Sequence, residues 1–338
     1  WRTATRASSV YLCATLTISL RRCSFISGTR RRMVWPSVCG LRPRSDSRIA
    51  FSTLVTIERS QTEIERSRGS GTLTVATKTS FVPAASSNVV GMIPGSDPVV
   101  GKDVVVLSAH LDHIGITKPV KGDALNNGAL DNAIGIASLI EEAKRFTASG
   151  QAPKRTIMFL AVTGEEKGLV GSDYFTNHPT VPLTSIVADV NLDMPILTYK
   201  FEDMVVFGAE RSTIGPIVQK AVAAIGVGLS PDPMPEEGIF VRSDHFRFVQ
   251  KGIPAVFLWP GQKGPGKAAV AYFMANNYHK PSDDLSQPIL WDQGVRFVDA
   301  NYRIAREIAD GAQRPVWNAG DYFGTLYKGP MAPSGTTK

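Results

Sequence analysis

Cysteine is nearly absent from this 338-residue chain: there are three, Cys13, Cys23 and Cys39. The sequence beyond residue 50 therefore has no means of forming a disulfide or a thiolate metal site, and any metal there must rest on imidazole and carboxylate. Lys and Glu are missing from residues 1–48, and positions 1–50 carry ten Arg against the single Asp46. Of the net charge of +7, that leader accounts for about +9 and leaves about −2 for the rest. The body is not basic, which argues against a nucleic-acid partner. Long apolar runs are missing too: nothing approaches the roughly 18 residues of a membrane-spanning helix, so no stable membrane insertion is predicted.

The longest apolar stretch of the leader, 9–20 (SVYLCATLTISL), follows Arg2 and Arg6 and has the length of an export-signal segment, although Arg21 and Arg22 come next and no A-x-A site is evident. The reading is an exported protein, periplasmic or extracellular, with a cytoplasmic one as the alternative. Trp1 in place of Met implies a missing start or a non-native leader. Residues 1–50, rich in Arg and Ser, show no sustained period and predict no packed structure.

What is present is a hydrophobic content of 43%, ordinary for a globular protein with a sizeable core. Residues 51–87 form a short lead-in with strand-like alternation around Leu73 and Val75. The region 88–312 reads as one domain without repeat or linker, and 313–338, rich in Gly and Pro, as a loose tail. Within the domain, strand patterns at 88–93, 104–107, 156–162, 186–192, 204–207 and 255–258 alternate with helix patterns from beyond Asp131 to about 146, after Gly168, at 214–225 and at 292–308. That alternation predicts an α/β fold, a single domain with a central, mostly parallel mixed sheet flanked by helices on both faces. The strand at 88–93 and the turn PGSDP at 94–98 predict a hairpin with the strand at 104–107.

The unbroken run Val104-Val105-Val106-Leu107 has the pattern of a strand buried on both faces, and it ends where His110, Asp112 and His113 appear. Asp131, Glu165-Glu166, Asp193 and His279 likewise flank strand-like segments, so one sheet edge could gather them all. Singly, each has an ordinary structural explanation: a hydrogen-bonded His, an N-cap Asp, a solvated Glu pair. Jointly, two His and three carboxylates exceed one four-coordinate catalytic zinc but suit two ions sharing a carboxylate. Adjacent Glu165 and Glu166, pointing different ways from an extended turn, could divide ligation from proton transfer.

SAHLDHIG (108–115), NGALDNAIG (127–135), TGEEKGLVGSDYF (163–175), NLDM (191–194) and YHKPSDD (278–284) together resemble metallopeptidase family 28, the di-zinc aminopeptidases of bacterial leucyl aminopeptidase type. The resemblance runs from about Asn88 to Ile308. It implies two zinc ions per chain, one held by His110 and Asp193, the other by Glu166 and His279, with Asp131 bridging. It also implies Glu165 as general base acting on a metal-bridged water, Asp112 as the residue orienting His110, and a peptide as substrate. His113 falls outside the family's ligand pattern and reads as a neighbour of the site. The segment Arg242-Ser243-Asp244-His245 resembles a stretch bordering the substrate pocket, or else a capped helix start. Phe240 stands where some relatives carry an oxyanion-stabilising tyrosine; with Phe246 and Trp259 it suggests an apolar pocket. Asp283 and Asp284 read as fixing the His279 loop, and His178 as a surface residue.

Within this resemblance the rivals are co-catalytic zinc carboxypeptidases, which need more than the 86 residues between Asp193 and His279 for a dimerisation domain, and a mono-zinc glutaminyl cyclase-like acyltransferase. About forty residues between leader and Asn88 leave no room for a protease-associated domain. From a different class comes an inactive binding module on the same fold, which predicts missing ligands. Oligomeric state is left open.

Overall fold

A computed structural model describes residues 12–19, 72–79 and 85–334. The chain divides into two compact units, residues 1–84 and 85–338. In the first, β1 (Leu12–Ser19) pairs antiparallel with β2 (Thr72–Thr79), from Leu12 opposite Thr79 to Ser19 opposite Thr72. The alternation expected around Leu73 and Val75 is thus a strand. Residues 12–19, expected to be unpacked, form one as well: Leu12, Ala14, Leu16 and Ile18 alternate with Cys13, Thr15, Thr17 and Ser19, a period of two. The remainder of the leader lies outside the described residues.

The second unit contains β3 (Val89–Ile93), β4 (Val104–His110), the hairpin β5 (Ile116–Val120) and β6 (Asp123–Leu125), α1 (Ile134–Ala148), β7 (Thr156–Val162) and α2 (Val170–Asn177). It continues with β8 (Ile186–Asn191), β9 (Asp203–Phe207), α3 (Gly215–Ala224), β10 (Gly228–Ser230) and α4 (His245–Val249). The last elements are β11 (Ala255–Pro260), α5 (Gly266–Asn276), α6 (Trp291–Asp310) and α7 (Tyr322–Leu326). Seven strands form one sheet in the order β10-β9-β11-β8-β4-β7-β3. The pairs β10/β9, β11/β8, β8/β4 and β4/β7 are parallel, whereas β11/β9 and β3/β7 are antiparallel. The sheet is mixed and mostly parallel, as expected.

One pairing differs. β3 does not form a hairpin with β4 but lies outside β7, with Val89 opposite Ala161 and Ile93 opposite Ile157. The turn at 94–98 instead fastens to the start of β7: Ser96 N–H donates to Pro153 O at 2.9 Å and Gly95 N–H to Thr156 Oγ1 at 3.0 Å. This leaves both flanks of β4 to parallel neighbours, the arrangement of a central strand.

Every residue of β4 is buried. Val105, Leu107 and Ala109 join the large core beneath α1, α3 and α6, while Val104 and Val106 join Met158, Leu160, Phe175 and Phe248 beneath α2 and α4. Burial on both faces is why the run shows no polar alternation. From β4 the chain passes through α1 to β7 on one side, then through α2 to β8 on the other. The carboxyl end of β4 is therefore the point where the winding reverses, and an open α/β sheet has its crevice there.

The tail expected to be loose is held. Trp317 is fully buried, its Nε1–H donates to Gly252 O at 2.8 Å, and it bridges to Ser212 and Met331. Among the described residues no helix is long and apolar enough to cross a membrane.

Candidate metal centre

His110 is the last residue of β4 and only 1% of its side chain is exposed. Its Nδ1 lies 3.0 Å from the backbone O of Asp112, the contact of a donated N–H, which turns Nε2 toward Asp193 Oδ1 at 3.1 Å and Asp131 Oδ1 at 3.3 Å. The imidazole is thus oriented by the Asp112 carbonyl; the Asp112 carboxylate, expected to do this, is 3.9 Å away. Its Oδ1 accepts instead from the backbone N–H of Glu165 at 3.1 Å, tying the loop after β4 to the loop after β7.

Asp131 precedes α1 in an irregular turn, Ala129–Ala133, where it and Asn132 depart from helical backbone angles. Its Oδ1 faces His110 while its Oδ2 lies 3.2 Å from His279 Nε2. Asn132 staples this turn to the β8 end: its Nδ2 donates to Leu192 O at 2.9 Å and its Oδ1 accepts from Met194 N–H at 3.1 Å. Asn132 was not singled out in the sequence, although it follows Asp131 directly in the NGALDNAIG motif.

Glu165 and Glu166 occupy one 3-10 turn, Glu165–Lys167, bounded by Gly164 at φ 68° and Gly168 at φ 101°, where side chains with a Cβ would be strained. The extended turn expected here is a helical one, and the glycines at its ends let the chain enter and leave it sharply. Glu166 Oε2 is 3.2 Å from His279 Nε2 and its Oε1 2.8 Å from His113 Nδ1. His279 itself sits in the left-handed region at φ 55°, stacked on Tyr278.

Asp193 follows β8. Its Oδ2 accepts from Ser243 Oγ at 2.6 Å, and Ser243 accepts from Asn191 Nδ2 at 2.7 Å. Neither Ser243 nor Asp244 caps α4 through its side chain. The sequence RSDH is there because Ser243 braces Asp193 and Asp244 accepts from Ser172 Oγ at 2.5 Å. Trp259 Nε1–H donates to the Asp193 carbonyl at 2.9 Å. Phe240 and Phe246 pack on Phe323, and Arg211 lies over both Phe240 and Phe323 at 5.0 and 4.9 Å; Phe240 is buried, Phe246 and Phe323 partly so. Asp284 accepts from Ser286 in a local turn, and His178 is exposed and stacked on Tyr174.

The electrostatics follow from crowding four carboxylates and three imidazoles. Burial pulls His110 down, but the charges of Asp193 and Asp131 outweigh it and hold the imidazole well above its ordinary value. Burial likewise opposes protonation of His279, yet its hydrogen bonds to Asp131 and Glu166 bring it to about 9. Against their own burial, Asp131 is held below the carboxylate range by His110 and His279, and Glu166 by His113 and His279. Glu165 is the exception: burial first, and then the Asp193 charge, push it up to about 9.

Two sets of donors lie close enough to hold a cation, His110 with Asp131 and Asp193, and His113 with Asp131 and Glu166, and Asp131 belongs to both. Imidazole and carboxylate without thiolate suit zinc. Glu166 Oε1 and both nitrogens of His113 are buried with no ordinary hydrogen-bond partner, as befits groups arranged around a charge. The residues present fit a pair of divalent ions.

An open α/β sheet that gathers such donors at its switch point defines the class of metal-binding α/β enzymes. The profile described as Peptidase family M28 matches residues 88–304, and the chain belongs to that family. It is 30% identical over 217 residues to leupeptin-inactivating enzyme 1 of Streptomyces exfoliatus, a match covering 60% of this chain and 44% of that protein. To the probable leucine aminopeptidase 2 of Aspergillus oryzae it is 29% identical over 218 residues, 59% of this chain and 40% of the relative. To the vacuolar membrane protease of Verticillium alfalfae it is 28% identical, covering 64% of this chain and 20% of the relative. The chain thus spans less than half the length of each. A solved structure of BSAP, a zinc aminopeptidase from Bacillus subtilis, shares the fold with a TM-score of 0.55 at 22% identity, over 71% of this chain and 54% of that one.

Proposed function

We propose that this chain is a zinc-dependent aminopeptidase that hydrolyses the amino-terminal peptide bond of peptides. The observation that carries the proposal is Asp131, whose two oxygens face two different donor sets, with Glu165 on the neighbouring turn. His110 and Asp193 would hold one zinc, Glu166 and His279 the other, and Asp131 both. Bound there, the ions would supply Lewis-acid polarisation of the scissile carbonyl and lower the pKa of water.

The chain's own residues do the rest. Glu165 takes the proton of the attacking water and returns it to the nitrogen of the leaving amine, the part of a carboxylate beside the reacting water that is free of ligation. Asp112 fixes the backbone from which Glu165 projects, and Ser243 holds Asp193 against His110. The names of the relatives, leucine aminopeptidase among them, support attack at the amino end. An exported location is part of the same proposal and rests on the apolar leader segment.

The test is zinc content together with hydrolysis of free and amino-blocked peptides by the parent and Glu165→Gln. The expected result is two zinc ions per chain, turnover only with a free amino terminus, and a variant that keeps its metal while kcat falls about 10²- to 10⁴-fold. One zinc with release of a cyclised product would instead indicate acyl transfer.

A further inference from the structure

The turn that carries Glu165 and Glu166 has glycine at both ends, and glycine leaves a backbone free to swing. Its entry is fastened twice: Glu165 N–H donates to Asp112 Oδ1 at 3.1 Å, and Gly164 O accepts from Val170 N–H at 3.0 Å. Its exit is held differently. A Cβ built on Gly168 would meet nothing within 4 Å, so no packing confines the chain on that side. The hold comes from Arg247 on α4, whose Nη2–H donates to Gly168 O at 3.0 Å.

The guanidinium is itself built into place. Its Nη1–H donates to Gln250 Oε1 at 3.0 Å and lies 3.5 Å from Asp173 Oδ1 on α2. Its Nε is buried with no hydrogen-bond partner, a cost that a side chain serving only the surface would not carry. Earlier in the same segment Ser243 braces Asp193, and the chain between the two is helical: Phe246 N–H donates to Ser243 O at 3.0 Å and Arg247 N–H to Asp244 O at 3.1 Å. One short segment therefore grips the loop after β8 with Ser243 and the turn after β7 with Arg247. It sets the spacing between a ligand of one ion and the turn that bears Glu165.

Glu165 depends on that spacing more than Glu166 does. Glu166 Oε2 lies 3.2 Å from His279 Nε2, and the zinc they would share draws the two together. Among the described residues the Glu165 carboxylate accepts no hydrogen bond, so its backbone alone aims it. A reacting group misplaced by about 1 Å loses roughly 10²-fold in rate.

We propose that Arg247 is a positioning residue whose bond to the Gly168 carbonyl holds the Glu165–Lys167 turn, so that its loss impairs proton transfer by Glu165 and spares the zinc ions. The inference rests on the reading of Glu165 as general base.

The experiment compares the parent, Arg247→Ala, Arg247→Lys and Lys251→Ala. Lys251, just after α4, makes a separate link to α2, Nζ to Asn177 Oδ1 at 2.6 Å, and has no bond to the turn. Hydrogen exchange of the metal-free proteins reads the turn directly, because the N–H groups of Gly168 and Leu169 both donate to Glu165 O at 2.9 Å. Zinc competition with a chromophoric chelator, thermal melting, and kcat and KM on a peptide with a free amino terminus complete the comparison. In Arg247→Ala, exchange across 164–170 is expected to quicken about tenfold while β7 keeps the parent's rate, as for one lost hydrogen bond. Zinc affinities and KM are expected to match the parent, and kcat to fall about 10- to 100-fold. Arg247→Lys still offers one donor and is expected to recover part of both effects, and Lys251→Ala to behave as the parent.

Parent-like exchange and kcat in Arg247→Ala would overturn the proposal. Faster exchange throughout α2 with a lowered melting temperature, matched by Lys251→Ala, would overturn it in favour of general support of the packing between α2 and α4. Weakened zinc binding in Arg247→Ala would overturn it in favour of support for Glu166. A Glu165→Gln protein that keeps the parent's kcat would sink the general-base reading by itself, and the exchange rates would still decide whether Arg247 holds the turn.

Discussion

Asp283 shows how much of a site is built by residues that touch nothing reactive. It is fully buried four residues beyond His279, with Oδ1 accepting the N–H of Leu130 and Oδ2 that of Asp131, both at 3.0 Å. A third bond, from Gln287 Nε2 at 2.7 Å, holds the carboxylate from behind. The sequence supports a part for Asp283 in fixing the His279 loop; that it also grips the Asp131 turn emerges only in three dimensions, because the two segments lie 152 residues apart. Replacing Asp283 by Ala strands two buried N–H groups, at about 1–3 kcal/mol each, and frees the carboxylate that both donor sets share. Zinc competition is expected to show both ions weakened about tenfold or more. By comparison, His110, Asp131, Glu166, Asp193 and His279 could be named from motifs, since short loops at strand ends carry them. The brace of Ser243 on Asp193 was less legible, because a serine before a helix reads most simply as a cap.

At the scale of elements, α1 carries a liability the sequence pattern hid. Glu142 lies on its core-facing side, fully buried, with neither carboxylate oxygen hydrogen-bonded. Burial pushes it well above the ordinary glutamate value, only partly offset by Arg145. The unfolded chain releases this proton as pH rises past about 4.5, while the folded protein retains it. Stability from this group is therefore whole below that pH and is lost as pH climbs toward the raised folded value. Glu142→Met removes the titration and the unsatisfied oxygens at similar volume. It is expected to stabilise the protein by about 1–3 kcal/mol, more at pH 8 than at pH 5, as thermal melts at the two values would show. The strands were the most legible elements, β7 to the residue, because apolar runs bounded by turns mark them. Missed were the hairpin of β5 and β6, whose strand β5 is exposed throughout, and α5, whose Ala-rich sequence lacks an apolar stripe. The pairing of β3 was misread because a tight turn suggests a local partner, whereas its register is set by β7, some seventy residues away.

For the molecule as a whole, the sequence discloses the class of fold but not how the fold closes. The stretch beyond residue 312 is rich in Gly and Pro and reads as loose. In the structure Gly324 and Gly329 serve close approach: a Cβ on either would lie 2.6 or 2.5 Å from the Trp317 side chain. Arg314 reaches back to Asp103 at the foot of β4, its Nε donating to Oδ2 at 3.0 Å, beside the fully buried Arg155. Trp317→Ala would empty a site that is fully enclosed. It is expected to cost about 3–5 kcal/mol, seen as a lower urea midpoint with an unchanged slope.

Trp317 is among the largest fully buried side chains, and it enters the core after every strand of the sheet has been laid down. During synthesis the growing chain therefore carries an apolar hollow, shaped for an indole between the loops at Ser212 and Gly252, until Trp317 leaves the ribosome. The lock comes after the sheet, and a ribosome that stops between Pro260 and Trp317 releases a polypeptide with all seven strands of the sheet but without the side chain that closes the interior.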